Sequence, residues 1–107
     1  MWRHNKYNAQ WCVYEGIRYH SKKEAEYAMI LDDKLKKNEI KNWKRQIRFP
    51  LKVNDVLVAS LIIDFEIENL DGNKELIEIK GVETVSFKIK KKLFSVLYPN
   101  VKLTILK

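Results

Sequence analysis

The chain has one cysteine, two prolines and three glycines in 107 residues. A single thiol, Cys12, closes no intrachain disulfide, so the fold must rest on packing and suits a reducing cytosol. Cys12 has no evident nucleophile setting and reads as a small core residue. So few glycines and prolines exclude collagen-like and low-complexity chains. The glycines stand apart at positions 16, 72 and 81, so no glycine-rich phosphate loop exists. His4 and His20 lack a Cys or His at metal spacing, which argues against a zinc site. The longest near-apolar run, Val56 to Ile63, is interrupted by Ser60 and falls far short of a membrane span. The first ten residues, MWRHNKYNAQ, have no apolar stretch of the signal-peptide kind. The expectation is a soluble cytoplasmic protein with no membrane partner.

What the chain does have is apolar content and positive charge. Hydrophobic residues make up 46%, enough for a core and too many for a disordered basic tail. The length fits one domain, residues 1–107, with an N-terminal hairpin at about 11–20. Lys and Arg number 21 against 14 Asp and Glu, a formal net charge of +7. Residues 41–52, which include Lys44, Arg45 and Arg48, contain no acid, and neither do residues 84–107. Basic runs beside aromatics such as Trp43, Phe49, Phe87 and Phe94 suit a phosphate-binding surface, although a solvated lysine-rich surface has the same composition. The acids of the second half instead gather between Asp55 and Glu83.

Periodicity predicts an α/β architecture. Cys12 to Tyr19 reads as a hairpin around Glu15-Gly16. Ser21, followed three residues later by Glu24, opens a helix of about 17 residues that ends near Asn38. Trp43 to Val53 reads as a strand that Pro50 confines to an edge or a bulge. Val56 to Glu68 and Glu75 to Gly81 are further strands, separated by the turn signal NLDGN. Val85 to Tyr98 is an amphipathic helix stopped by Pro99, with Ile89, Leu93 and Val96 as its apolar stripe. Lys88, Lys91 and Lys92 then form an opposing basic ridge, with Lys90 beside it. A last strand at Val101 to Leu106 arrives through a helical crossover and must therefore be parallel to its neighbour. The order is helix, three-stranded antiparallel meander, crossover helix, final parallel strand.

Strand alternation gives the acidic cluster its meaning. Ile63, Phe65 and Ile67 should share one face, with Asp64, Glu66 and Glu68 on the other. A three-residue loop Leu70-Asp71-Gly72 pairs Asn69 with Asn73 and puts Asp64 opposite Glu78. A two-residue loop would separate them, and the odd loop is the expectation. Facing carboxylates repel, so one pKa should rise unless a cation lies between them. Oxygen-only ligands suit a hard ion such as Mg²⁺. Lys80 emerges beside the pair, where an ammonium can orient water or neutralise a phosphate oxygen. A cross-strand ion pair on a solvated face is the plainer reading of the same residues.

Glu24 has two readings as well. It is the acid of the capping box, and it lies on the stripe Glu24, Ala28, Leu31, Leu35 that packs on the sheet, from which its carboxylate can point towards the metal as a further ligand. Glu26 faces solvent. Gln46 could reach the same cleft as the acids, or stand exposed on its strand.

The ordered set of segments resembles the PD-(D/E)XK nuclease superfamily. More narrowly, it resembles a family of small phage- and prophage-encoded endonucleases related to Holliday-junction resolvases. The carrying segments are KYNA at 6–9, YEGIRYHSKKEAEYA at 14–28, RQIRFPL at 45–51, IIDFEI at 62–67, IEIKG at 77–81 and FKIKKKLF at 87–94. Ile63 stands where the superfamily's name has proline. The resemblance implies a restriction-endonuclease-like core that cuts DNA with Mg²⁺ or Mn²⁺, in a bacterial host cytoplasm if phage-encoded. It implies Asp64, Glu78 and the Ile79 carbonyl as ligands, Lys80 as the catalytic lysine, Glu24 as the helical acid and Gln46 as a site-lining residue. Lys44, Arg45, Arg48, Lys88, Lys90, Lys91 and Lys92 are candidates for the DNA backbone. Branched DNA and a homodimer complete the expectation. A nicking or flap endonuclease, or a non-catalytic DNA-binding module on the same fold, are the rivals.

Overall fold

In the computed structural model, residues 2–4 and 10–107 are described, with side chains from residue 12 onward. The KYNA segment therefore lies wholly outside the described residues. The chain divides into two units, Met1–Ile40 and Lys41–Lys107.

In the first unit, β1 (Trp2–His4), β2 (Gln10–Tyr14) and β3 (Ile17–Tyr19) form an antiparallel sheet in that order. The predicted hairpin is β2–β3, with Cys12 opposite Tyr19 and Val13 opposite Arg18. Its turn needs two left-handed residues, and Glu15 (φ 52°) and Gly16 (φ 75°) provide them. Helix α1 (Lys22–Lys36) begins where the capping signal puts it, since Ser21 Oγ accepts from Glu24 N at 3.1 Å. It ends in a Schellman arrangement. Asn38 takes φ 57°, its N–H donates to Leu35 O, and Glu39 N donates to Lys34 O. The helix packs on β2 and β3, and its buried residues are Glu24, Ala25, Ala28 and Leu31. Tyr14 donates its hydroxyl proton to Asp32, tying β2 to α1. Cys12 is buried, and that burial pushes its thiol pKa up, as befits an inert core residue.

The second unit is built on a four-stranded sheet in the order β4 (Ile40–Val53), β5 (Val56–Asn69), β6 (Lys74–Ile79), β7 (Lys102–Leu106). Strand β4 turns into β5 through Asn54 (φ 50°) and Asp55 (φ 64°), the two left-handed positions of a tight hairpin. Strand β4 is an edge strand, which is why Pro50 is tolerated within it. The odd loop between β5 and β6 is present. Asn69 N donates to Asn73 O at 2.8 Å, Gly72 takes φ 89°, and the ladder runs from Glu68↔Lys74 to Phe65↔Ile77. The β7 strand is parallel to β6, as the crossover helix α2 (Val85–Leu97) requires. The architecture is thus α/β, with one mixed sheet, one antiparallel sheet and two helices among the described residues.

Two expectations fail within this unit. First, Ile63 does not share a face with Phe65. Ile63 packs with Leu51, Leu61, Leu76, Phe87 and Phe94, and Leu76 lies on the face opposite Phe65 because it pairs with Glu66. Phe65 instead meets the Trp43 ring at 5.8 Å. The alternation of β5 slips by one residue at Asp64, giving the buried run Ile63-Asp64-Phe65.

Second, α2 is rotated from the expected stripe. Leu93 does pack on the core, but Ile89 and Val96 are 63% and 66% exposed. Phe87 and Phe94, seven residues apart, are buried in their place. Two aromatic rings bury more apolar area than Ile89 and Val96 could, and Phe94 also packs against Phe49 and Tyr98. The rotation divides the proposed basic ridge: Lys88 and Lys92 stay exposed, while Lys90 and Lys91 turn to half-buried positions.

Candidate functional site

The slip in β5 builds the site. Where the ladder would pass Asp64, side chains replace part of the backbone pairing. Asp64 N donates to Glu78 Oε1 at 2.9 Å, and Ile79 N donates to Asp64 Oδ2 at 2.9 Å. Each carboxylate is thus fixed through one oxygen by the other residue's strand. Asp64 and Glu78 are only 8% and 6% exposed.

The remaining oxygens meet polar side chains. Gln46 Nε2 donates to Asp64 Oδ1 at 3.4 Å, and Lys80 Nζ lies 3.9 Å from Glu78 Oε2. Gln46 achieves this from a left-handed conformation (φ 54°) in the middle of β4, where a side chain other than glycine is strained. The Lys80 ammonium also stands 4.4 Å from the centroid of the Phe87 ring, a cation–π contact that fixes its direction.

Electrostatics follow from this geometry. Burial, and then the charge of Asp64, push the Glu78 pKa up to about 7; Lys80 opposes the rise. Glu78 is therefore partly protonated at neutral pH in the absence of a cation. Such a pair is a donor set for a hard divalent ion, because Mg²⁺ is commonly held by one or two carboxylates with substrate phosphate and water completing its shell. No group of three or more His, Cys, Asp or Glu residues is placed to hold a metal ion among the described residues.

Beside the pair lies an open cleft of about 270 Å³. Glu78 and Lys80 form one wall, Ser60 to Ile62 of β5 another, and Thr84, Ser86, Phe87 and Lys90 of α2 a third. Thr84 is the N-cap of α2 and accepts from Phe87 N at 3.1 Å. Sequence reasoning missed Ser60, Thr84 and Ser86 as site residues. A threonine directly before an amphipathic run was the available signal for Thr84; nothing comparable marks the two serines.

The structure thus brings together Gln46, Asp64, Glu78, Ile79 and Lys80, with Lys90 in the cleft wall. Glu24 belongs to the first unit, where it is buried in the first turn of α1. Arg48 is exposed and donates to Ser60 Oγ at 3.2 Å. Lys44 is exposed and Arg45 half-buried on β4. Lys91 is bound to Glu83, which lowers the Glu83 pKa.

Searches of the curated proteins and of the solved structures returned no match. A family model matches residues 4–107, a span that takes in both units. The chain belongs to the family described as protein of unknown function (DUF1064).

Proposed function

We propose that this chain is a metal-dependent DNA endonuclease with a restriction-endonuclease-like core of the PD-(D/E)XK kind. The observation that carries the reading is the reciprocal clasp of Asp64 and Glu78, with Lys80 beside it. Each carboxylate spends one oxygen on a backbone N–H of the other strand. The second oxygens, Asp64 Oδ1 and Glu78 Oε2, remain within reach of Gln46 and Lys80. A solvated cross-strand ion pair needs neither the burial nor the slipped strand.

The donor set fits Mg²⁺, with Mn²⁺ as its substitute, held by Asp64, Glu78 and the Ile79 carbonyl. When bound, such an ion supplies positive charge to the reacting phosphate. The chain's own residues do the rest. Lys80 holds its ammonium against Glu78 and Phe87, where it orients a water for in-line attack and neutralises charge on a phosphate oxygen. Gln46 keeps Asp64 turned towards the site. Glu24 is the helical acid of the resemblance. Lys44, Arg45, Arg48, Lys88, Lys90 and Lys92 are backbone-contact candidates, whereas Lys91 is taken up by Glu83. With so small a fold, recognition rests on DNA structure, and a homodimer acting on branched DNA is the preferred form.

The test is incubation with labelled duplex, flap, splayed and four-way DNA in Mg²⁺, Mn²⁺ or EDTA. Cleavage of at least one substrate in metal and of none in EDTA is expected. If no substrate is cut under any metal condition, the nuclease reading is wrong and the binding-module rival takes its place.

A further inference from the structure

The cleft contains more than the carboxylate pair requires. Of its two lysines, Lys80 already faces Glu78. Lys90 is half-buried in the wall and has no ion-pair partner among the described residues. Its neighbour Lys91 shows the contrast, because Glu83 takes up its charge. Ser86 borders the same space. The Ser60 hydroxyl does too, and its oxygen accepts from Arg48, which leaves its proton to donate and brings a further cation to the rim. The first turn of α2 carries no acid to compete for these donors. At about 270 Å³ the cleft is smaller than the ~300–1,000 Å³ of pockets that enclose a drug-sized ligand, and it is open. That shape suits a segment of a longer chain passing through it.

We infer that this cleft is a second phosphate site, in which Lys90, with Ser86 and Ser60, grips a DNA phosphodiester next to the one presented to Asp64, Glu78 and Lys80. Lys90 is then a binding and positioning residue. The inference rests on the nuclease reading only for the identity of the neighbouring phosphate. A half-buried ammonium without a counter-ion gains from a bound anion what Lys91 gains from Glu83.

The experiment measures fluorescence-anisotropy binding of labelled DNA in EDTA and in Ca²⁺, with one methylphosphonate linkage moved stepwise along the strand. In the wild type, a particular neutral linkage should weaken binding about tenfold. In Lys90→Ala and Lys90→Gln the unmodified DNA should bind about tenfold more weakly, and the same neutral linkage should cost nothing further. The slope of log K against log salt should fall by about one contact, and Lys90→Arg should restore it. Lys91→Ala should weaken binding less and retain the sensitivity to the linkage. A 5′-phosphate and inorganic phosphate are the competing occupants. If either displaces DNA and removes the effect of the internal linkage, the site is a terminal-phosphate pocket and the inference is overturned. If DNA is bound and cut but no linkage couples to Lys90, the inference fails while the nuclease reading stands. If coupling appears without cleavage, the reverse holds. No binding in either buffer overturns both.

Discussion

The two halves of β5 differ sharply. From Ile63 to Ile67 it is buried except at Glu66, and it is paired to β6 from Phe65 onward. From Val56 to Ile62 it lies beyond that ladder, with Val56, Leu57, Val58 and Ile62 exposed. Composition does not separate the halves, since the outer one is the more apolar. Pairing does. Strand β6 is only six residues long, and beyond its end β5 keeps β4 as its neighbour but has no second strand among the described residues. Asp64 stands where the two regimes meet. The missing strand opens the space that becomes the cleft, and the slip at Asp64 turns a structural boundary into a site.

The largest effect that tests this contrast is on stability. Phe65→Ala removes a ring buried against Trp43 and should cost about 3–5 kcal/mol in urea unfolding. Val58→Ala, seven positions earlier on the same strand, should stay within about 0.5 kcal/mol. Similar costs at both positions would mean that the outer half is covered in solution. Next in size is activity. Lys80→Ala should lower the cleavage rate about 10²–10³-fold with little change in stability, as removal of one preorganised charge does. A comparable loss from Lys92→Ala, on the exposed side of α2, would remove the special position of Lys80.

The third effect is a pH dependence with an unusual sign. Glu78 has a folded pKa of about 7 against an ordinary value of 4.5. A carboxyl whose pKa is raised by folding contributes stability that is fully present below pH 4.5 and lost as pH climbs through 7. In EDTA the unfolding free energy should therefore decline between pH 5 and 8, and Glu78→Gln should flatten that decline. A profile that rises over this interval in the wild type would show that Glu78 is already ionised in the metal-free fold.

Much of this was legible in the sequence, for identifiable reasons. Short-range signals were sufficient for Ser21 as a cap and Glu15-Gly16 as a turn, because each is decided within a few residues. NLDGN marked a turn but left its length open; the expectation that the apolar faces of β5 and β6 share a core selected the odd loop, and with it the opposition of Asp64 and Glu78. The slip at Asp64 was not legible, since strict alternation put Ile63 with Phe65, and only the packing of Ile63 on Leu76 and Phe87 shows otherwise. Nor was the rotation of α2. Ile89, Leu93 and Val96 form as good a stripe by spacing as Phe87 and Phe94 do, and the choice depends on Phe49 and Tyr98 being there to receive an aromatic ring. Lys90 reached the cleft through that same rotation, so no reading of the helix alone could separate it from Lys91.

The smallest expected effect sharpens the comparison at its boundary. Gln46 holds a left-handed conformation in the interior of β4 and reaches Asp64 from there. For a residue with a Cβ this conformation costs about 1–2 kcal/mol, which glycine would not pay. Gln46→Gly removes both the strain and the amide. If the conformation is maintained by the needs of the site, the glycine variant should match or exceed wild-type stability by up to about 1 kcal/mol while cutting DNA more slowly. Gln46→Ala separates the two contributions: it retains the strain, loses the amide, and should be slow without any gain in stability. A glycine variant that is both less stable and fully active would reverse the assignment. Gln46 would then be a structural part of β4, and Asp64 would owe its orientation to the Ile79 N–H alone.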